Sequence, residues 1–199
     1  MLMSFSSCNG LQIIEGFYDN AESEQLYRQL LQGQTWPDNR YTVAGRQFVL
    51  PRLQTWHADP GIAYSYSNNL LQTQSWTPLL TVIKIKVETF LNRRFNAVLV
   101  NLYRNGEDYV GWHADNEPEL GNRPVIASLT FGAERRFAFR DKKSSEDGSV
   151  SLRSGTLLVM GPDFQKHWLH SIPMDKSVTG GRINLTFRKV LTRHAQLDL

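Results

Sequence analysis

From Arg182 to Arg188 polar and apolar residues alternate without a break: Arg, Ile, Asn, Leu, Thr, Phe, Arg. Period two is the signature of a strand. It puts Arg182, Asn184, Thr186 and Arg188 on one face and Ile183, Leu185 and Phe187 on the other. Short runs of the same kind fill the second half of the chain, at 98–103, 109–113, 124–131, 135–140, 151–152, 156–160 and 166–170. Turn pairs such as Asn105-Gly106, Asp147-Gly148 and Gly180-Gly181 punctuate them. The first half reads differently. A short strand is expected over Leu11 to Phe17. Asp19 or Asn20 then caps a helix to about Leu31, with Leu26, Leu30 and Leu31 on its buried side. Pro78 starts a second helix to about Arg94, striped by Leu79, Leu80, Ile83, Val87, Phe90 and Leu91. Helices early and strands late predict an α+β protein, an antiparallel sandwich or barrel with helices on one side.

Composition narrows this little. At 199 residues, with 41% hydrophobic and 21% charged, the chain suits one soluble domain. The single cysteine, Cys8, excludes an internal disulfide, which fits a reducing cytosol. Neither a signal peptide nor a transmembrane helix is expected. Net charge is +3, yet the basic residues cluster at Arg135, Arg136, Arg140, Lys142 and Lys143, which permits a polyanionic partner. Residues 40–53 interleave Arg40, Arg46 and Arg52 with apolar positions, and Tyr64 and Tyr66 share one face just beyond. Such a segment suits nucleic-acid contact, since rings stack on bases and arginines meet phosphates. A surface hairpin whose aromatics seal the core has the same composition.

The chemistry begins at His113-Ala114-Asp115. An imidazole and a carboxylate two residues apart on a strand point the same way. A second histidine from a neighbouring strand would complete a two-histidine, one-carboxylate triad, the set that suits non-haem Fe(II) with open positions for O₂ and a co-substrate. His57 lies in the aromatic segment and His194 near the end of the chain. His167 and His170 are an odd number apart, so only one faces inward, and His170, just before Ser171-Ile172-Pro173, is the choice. The arginines of 182–188, turned to an inner face, need partners. A guanidinium fork matches a carboxylate, so a dicarboxylate such as 2-oxoglutarate would supply them. Asn101 and Tyr103 share a strand face and could add an amide and a hydroxyl.

The ordered set Asn101-Leu102-Tyr103, His113-Ala114-Asp115, His170-Ser171-Ile172-Pro173 and Arg182 to Arg188 resembles the AlkB family of Fe(II)/2-oxoglutarate dioxygenases over roughly residues 50–190. Leu50-Pro51-Arg52 and Tyr64-Ser65-Tyr66 bring it nearest the branch that repairs DNA bases. The resemblance implies a double-stranded β-helix, or jelly roll, as one domain over 1–199. Residues 34–75 would form a nucleotide-recognition region and 97–190 the catalytic core. It implies Fe(II) on His113, Asp115 and His170, and 2-oxoglutarate against Asn101, Tyr103, Arg182, Asn184 and Arg188, with Arg188 on the distal carboxylate. With O₂ the reaction would demethylate 1-methyladenine and 3-methylcytosine in DNA, releasing formaldehyde, succinate and CO₂. Glu117 would read the exocyclic amine. Trp56, Tyr64 and Tyr66 would stack on the flipped base, Trp112 would be structural, and Arg52, Ser65 and Arg140 would touch base or backbone. Arg135, Arg136, Lys142 and Lys143 would meet phosphates. A small Ala44 stands where a base-flipping wedge would align, leaving Val43 or Phe48 as substitutes. Methylated DNA, single- or double-stranded, is the expected partner, with RNA second, no membrane, a monomeric state, and a cytoplasmic location (nuclear in a eukaryote). The alternative is a 2-oxoglutarate oxygenase acting on RNA, protein or a small molecule.

Overall fold

The computed structural model describes residues 4–37, 40–43, 45–62, 65–66, 69–70 and 72–191. Two strands, β1 (Ser4–Cys8) and β2 (Leu11–Glu15), lead into helix α1 (Asn20–Gly33). Then come β3 (Arg40–Val43), β4 (Arg46–Val49), β5 (Leu53–Ala58), β6 (Ser65–Tyr66), β7 (Asn69–Leu70), β8 (Thr73–Gln74) and helix α2 (Pro78–Leu91). The second half holds β9 (Ala97–Tyr103), β10 (Val110–His113), β11 (Ile126–Gly132), β12 (Arg135–Asp141), β13 (Asp147–Leu152), β14 (Thr156–Met160), a one-turn helix α3 (Phe164–His167), β15 (Trp168–Ile172) and β16 (Arg182–Arg188).

A large sheet runs β1-β2-β14-β11-β16-β9-β5-β8, and a small one β10-β15-β12-β13. β3 pairs with β4 and β6 with β7 as separate hairpins. The pairings are antiparallel except that of β5 with β8. All seven residues of β9 and of β16 are buried, because the large sheet is covered on both faces. One layer packs Val98, Val100, Leu102, Ile183, Leu185 and Phe187 with Leu30, Leu80, Ile83 and Val87 of the helices. The other packs Leu99 and Tyr103 with Phe137, Phe139 and Ile172 of the small sheet. Two facing sheets with helices outside one of them make the sandwich that the alternation anticipates and the jelly roll that the resemblance implies.

The helices begin as their caps dictate. Asp19 accepts from Glu22 N at 2.8 Å and Glu22 answers to Asp19 N, a reciprocal capping box. Thr77 caps α2, whose first residue is Pro78. Several expectations shift. The Leu11 strand ends at Glu15 because Gly16 turns the chain at φ +68°. Helix α2 stops at Leu91, where Asn92 takes a left-handed conformation. Leu31 and Phe90, expected on buried faces, are exposed. Residues 166–167, expected in a strand, belong to α3. The turn pair Asp147-Gly148 instead opens β13, so the connection from β12 spans only residues 142–146. Ala44, Tyr64 and His194 lie outside the described residues, as do the side chains of Val43, Ser65 and Tyr66.

Candidate metal centre and dicarboxylate pocket

His113 closes β10, and its approach is irregular. Val110 pairs with Ile172 and His113 with His170, so three steps on β10 match two on β15. The extra residue is a β-bulge. It lets both Val110 and His113 line the pocket between the sheets although they are an odd number apart. The bulge also sets the two histidine rings face to face, centroids 4.2 Å apart. His113 Nδ1 lies 2.8 Å from Gly111 O and so donates to it. That leaves Nε2 a lone pair, 3.7 Å from Asp115 Oδ1.

Asp115 follows the strand, and its backbone N–H donates to Gln165 Oε1 of α3 at 2.9 Å. Its carboxylate is 1% exposed, and Oδ2 accepts from Arg188 Nη2 at 2.8 Å. Burial pushes the Asp115 carboxyl up, but the charges of Arg188, His113 and His170 outweigh it and hold it down at about 2. His170 is pushed down to about 3, first by burial and then by the charge of His113. The His170 imidazole and the Asp115 carboxylate therefore present lone pairs at neutral pH. Asp115 Oδ1 and His170 Nδ1 are buried without a hydrogen-bond partner. One ligand atom from each of His113, Asp115 and His170 falls within 4.8 Å of the others. Orphaned acceptors around one point, of two-nitrogen one-oxygen character, fit a divalent iron ion.

β16 supplies the floor of the same pocket. Arg182, Asn184, Thr186 and Arg188 all line it, and Asn101 and Tyr103 of the neighbouring β9 join them. Their states differ. Asn184 is already braced, donating to Ser128 Oγ at 2.8 Å and accepting from Thr186 Oγ1 at 2.9 Å. Asn101 Oδ1 accepts from Arg52 Nε at 3.0 Å. Arg188 sits at the metal end, on Asp115. Arg182 sits beside Tyr103, its guanidinium 5.0 Å from the ring centre. It is 1% exposed, uses Nη2 on Thr130 Oγ1, and leaves Nε and Nη1 with no partner. Burial lowers it to about 10. A nearly sealed guanidinium with two idle N–H groups marks a site built for an anion. Arg188, expected on the distal carboxylate, is bonded to Asp115 at the metal end, and Arg182 is the guanidinium whose N–H groups are left idle.

Other expected residues scatter. Trp56 is 1% exposed and lies in the inter-sheet core, so its ring has no open face for a base. Arg52 is buried, donates to Asn101 and to Tyr109 O, and lines the dicarboxylate pocket instead of meeting backbone phosphates. Arg135 is buried and donates to the carbonyls of Asn105, Asp108 and Pro173, a brace for the loop before β10. Lys142 turns its ammonium onto Gln165 O at 2.7 Å. Arg136, Arg140 and Lys143 are exposed. Glu117 is half-buried at the start of the 3₁₀ turn Pro118–Leu120, two residues past Asp115. Trp112, expected to be structural, is 43% exposed with Arg140 stacked on it at 4.5 Å. His167 is exposed on α3, and His57 is buried against Gln34, Thr55 and Ser75, away from the iron cluster. Gln165 and the bulge before His113 were missed. No local pattern marks a glutamine that bonds a backbone fifty residues away.

Facing sheets with an iron-type triad and an anion fork between them define a non-haem iron oxygenase that takes a dicarboxylate co-substrate. Residues 10–188 match the family model of the 2OG-Fe(II) oxygenase superfamily. The chain is 35% identical over 198 residues to the alpha-ketoglutarate-dependent dioxygenase alkB homolog 3 of Bos taurus, covering 94% of this chain and 68% of that protein. It is 37% identical over 185 residues to the DNA oxidative demethylase ALKBH2 of Mus musculus, covering 87% and 77%. The solved structure of OsALKBH1 superposes with a TM-score of 0.65 at 18% identity, over 94% of this chain and all of that one, and shares the fold. The chain belongs to the AlkB family of 2-oxoglutarate- and Fe(II)-dependent dioxygenases, and its cofactors are Fe(II), 2-oxoglutarate and O₂.

Proposed function

We propose that this dioxygenase removes N-methyl groups from bases in DNA, 1-methyladenine and 3-methylcytosine foremost. The observation that carries the reading is the pairing of the buried His113-Asp115-His170 cluster with the idle fork of Arg182 in one pocket. The relative named a DNA oxidative demethylase supports the choice of substrate. His113, Asp115 and His170 would hold Fe(II). Arg182 and Tyr103 would take the distal carboxylate of 2-oxoglutarate, while Arg188 keeps Asp115 ionised and aimed. Asn184 and Asn101, bonded to neighbours, fix the pocket walls. Bound iron and co-substrate supply the oxidation of the methyl C–H bond by O₂, coupled to decarboxylation of 2-oxoglutarate.

The chain's own residues do the rest. The inter-sheet core keeps water from the pocket floor, so the charges there act in a low dielectric. Glu117, two residues past Asp115 at the start of the 3₁₀ turn, would accept from an exocyclic amine, which 1-methyladenine and 3-methylcytosine both carry. A base inside a duplex must first be extruded. Residues 34–75 would hold it and residues 97–190 would carry the chemistry. The test is incubation with Fe(II), 2-oxoglutarate and a single-stranded oligonucleotide bearing one such lesion. Formaldehyde release with conversion to the unmodified base is expected. Turnover of 2-oxoglutarate with the lesion left intact, and stimulation instead by a peptide or a small molecule, would replace the reading with the alternative one.

A further inference from the structure

β10 carries His113 with little of its own to hold it. The strand has four residues, contains the bulge, and is the edge of the small sheet, paired with β15. Its register rests on two cross-strand pairs, Val110 with Ile172 and His113 with His170. A slip of one residue turns every side chain to the other face, which would take His113 out of the pocket. The outer end of this ladder is gripped by a side chain from a third strand. Arg135 opens β12, shares the inward face of Phe137 and is 2% exposed. Its Nη2 donates at 2.8 Å to the carbonyl of Asp108, two residues before β10. The same nitrogen donates at 2.7 Å to the carbonyl of Pro173, the first residue after β15. Nη1 donates to Asn105 O at 3.1 Å.

The connection before β10 and the one after β15 also meet directly. Gly106 N donates to Val178 O at 2.7 Å, and Asp175 N donates to Gly106 O at 2.8 Å. A Cβ on Gly106 would run into Asp175 O, so the two close only around a glycine. Asp108 is itself fixed, its carboxylate accepting from Arg104 N, Nε and Nη2. Asp108 and Asp175 supply negative charge to the buried guanidinium, one from each connection. A planar guanidinium carries its N–H groups at set angles, so two carbonyls on one nitrogen are held at one spacing. Those two carbonyls belong to the chain entering β10 and the chain leaving β15. We propose that Arg135 is a positioning residue for the iron. It locks β10 and β15 in the register that brings His113 and His170 together, so the site is set before metal binds. The proposal rests on the assignment of His113, Asp115 and His170 to Fe(II).

The test uses the full chain with Co(II), read by its ligand-field absorption, and amide exchange of the metal-free protein. Arg135→Met is expected to weaken Co(II) about 10- to 100-fold, the usual cost of freeing what orients a ligand. It should also speed exchange at residues 110–113 while residues 182–188 keep the parent's protection. Arg135→Lys, whose one nitrogen carries three N–H groups in the place of Nη2, should restore most of both. Gly106→Ala leaves Arg135 intact but wedges the two connections apart, and should weaken Co(II) as well. Asp19→Ala, which uncaps α1 on the helix side of the large sheet, should lower the melting midpoint and leave Co(II) affinity at the parent's. Loss of affinity in that control overturns the proposal, since metal binding would then track overall stability. Parent-like Co(II) affinity in Arg135→Met, or in Gly106→Ala where Arg135→Met does not fold, also overturns it. Failure of the parent to bind Co(II), or undiminished binding by His113→Ala, overturns instead the metal assignment beneath it.

Discussion

Arg182→Met separates the two things a buried guanidinium does. In the free protein Arg182 is 1% exposed, with Nε and Nη1 unpaired and only Thr130 Oγ1 answering Nη2. Arg135 approaches the same Tyr103 ring from 5.7 Å, adding like charge. A buried charge without a counter-ion costs several kcal/mol, and replacing such a group with an apolar side chain of similar length gains about 1–3 kcal/mol. The unliganded variant should therefore be at least as stable as the parent. A change of that size moves the melting midpoint of a chain this long by about 2–4 °C per kcal/mol. With co-substrate present the order inverts. Losing a bidentate partner of a buried carboxylate costs about 2–5 kcal/mol, or about 30- to several thousand-fold in affinity. At 2-oxoglutarate equal to 100 times its parent Kd, the parent gains about 2.7 kcal/mol. A variant weakened about 100-fold would gain only about 0.4 kcal/mol at that concentration. Thermal melts with Mn(II), with and without 2-oxoglutarate, read both effects in one experiment. If Arg182→Met melts several degrees lower without ligand yet keeps the parent's full ligand-induced rise, the arginine is a structural strut and the distal carboxylate binds elsewhere.

Gln165→Met should keep the fold but loosen Asp115, weakening Co(II) about 10- to 100-fold in a spectroscopic titration, the usual cost of removing a partner that orients a ligand; Gln165→Glu, which retains the acceptor, should stay near the parent. His57 is lowered by burial, against a smaller upward push from its bond to Ser75 O. Its folded value lies below its ordinary 6.5, so its share of stability is complete above about pH 6.5 and is lost as pH falls toward the folded value. Melting midpoints should drop between about pH 7 and pH 5 by less in His57→Gln than in the parent, and equal slopes would show that another group governs that range. Asp19→Ala removes the capping box of α1 and should cost about 1 kcal/mol in a urea titration with unchanged slope.

Much of the site was legible because its pieces are strand-local. Period two in Arg182 to Arg188 placed four polar side chains on one face, and β16 presents that face to the pocket. His170 is the inward histidine, as strand parity chose, but His167 sits on α3 outside the strand, so parity is not what separates the two. The same parity fails at His113, where the bulge lets Val110 and His113 share a face. Trp112 then emerges on the outside, although the resemblance implied a structural role for it. Trp56 errs the other way. It stands in a segment rich in surface signals, yet β5 joins the large sheet beside β9 and takes it into the core.

By itself, then, the sequence determined the elements, their faces and the identity of the metal triad, since these follow from spacing along one strand and from the chemistry of each side chain. Tertiary structure decided everything that depends on which strands become neighbours. It gave Arg188 to Asp115 and left Arg182 with idle N–H groups. It turned Lys142 and Arg135 from phosphate contacts into braces on backbone carbonyls. The physical reason is the same in each case. A charged side chain takes the partner that burial brings to it, and that partner is fixed by sheet register, which no local pattern encodes.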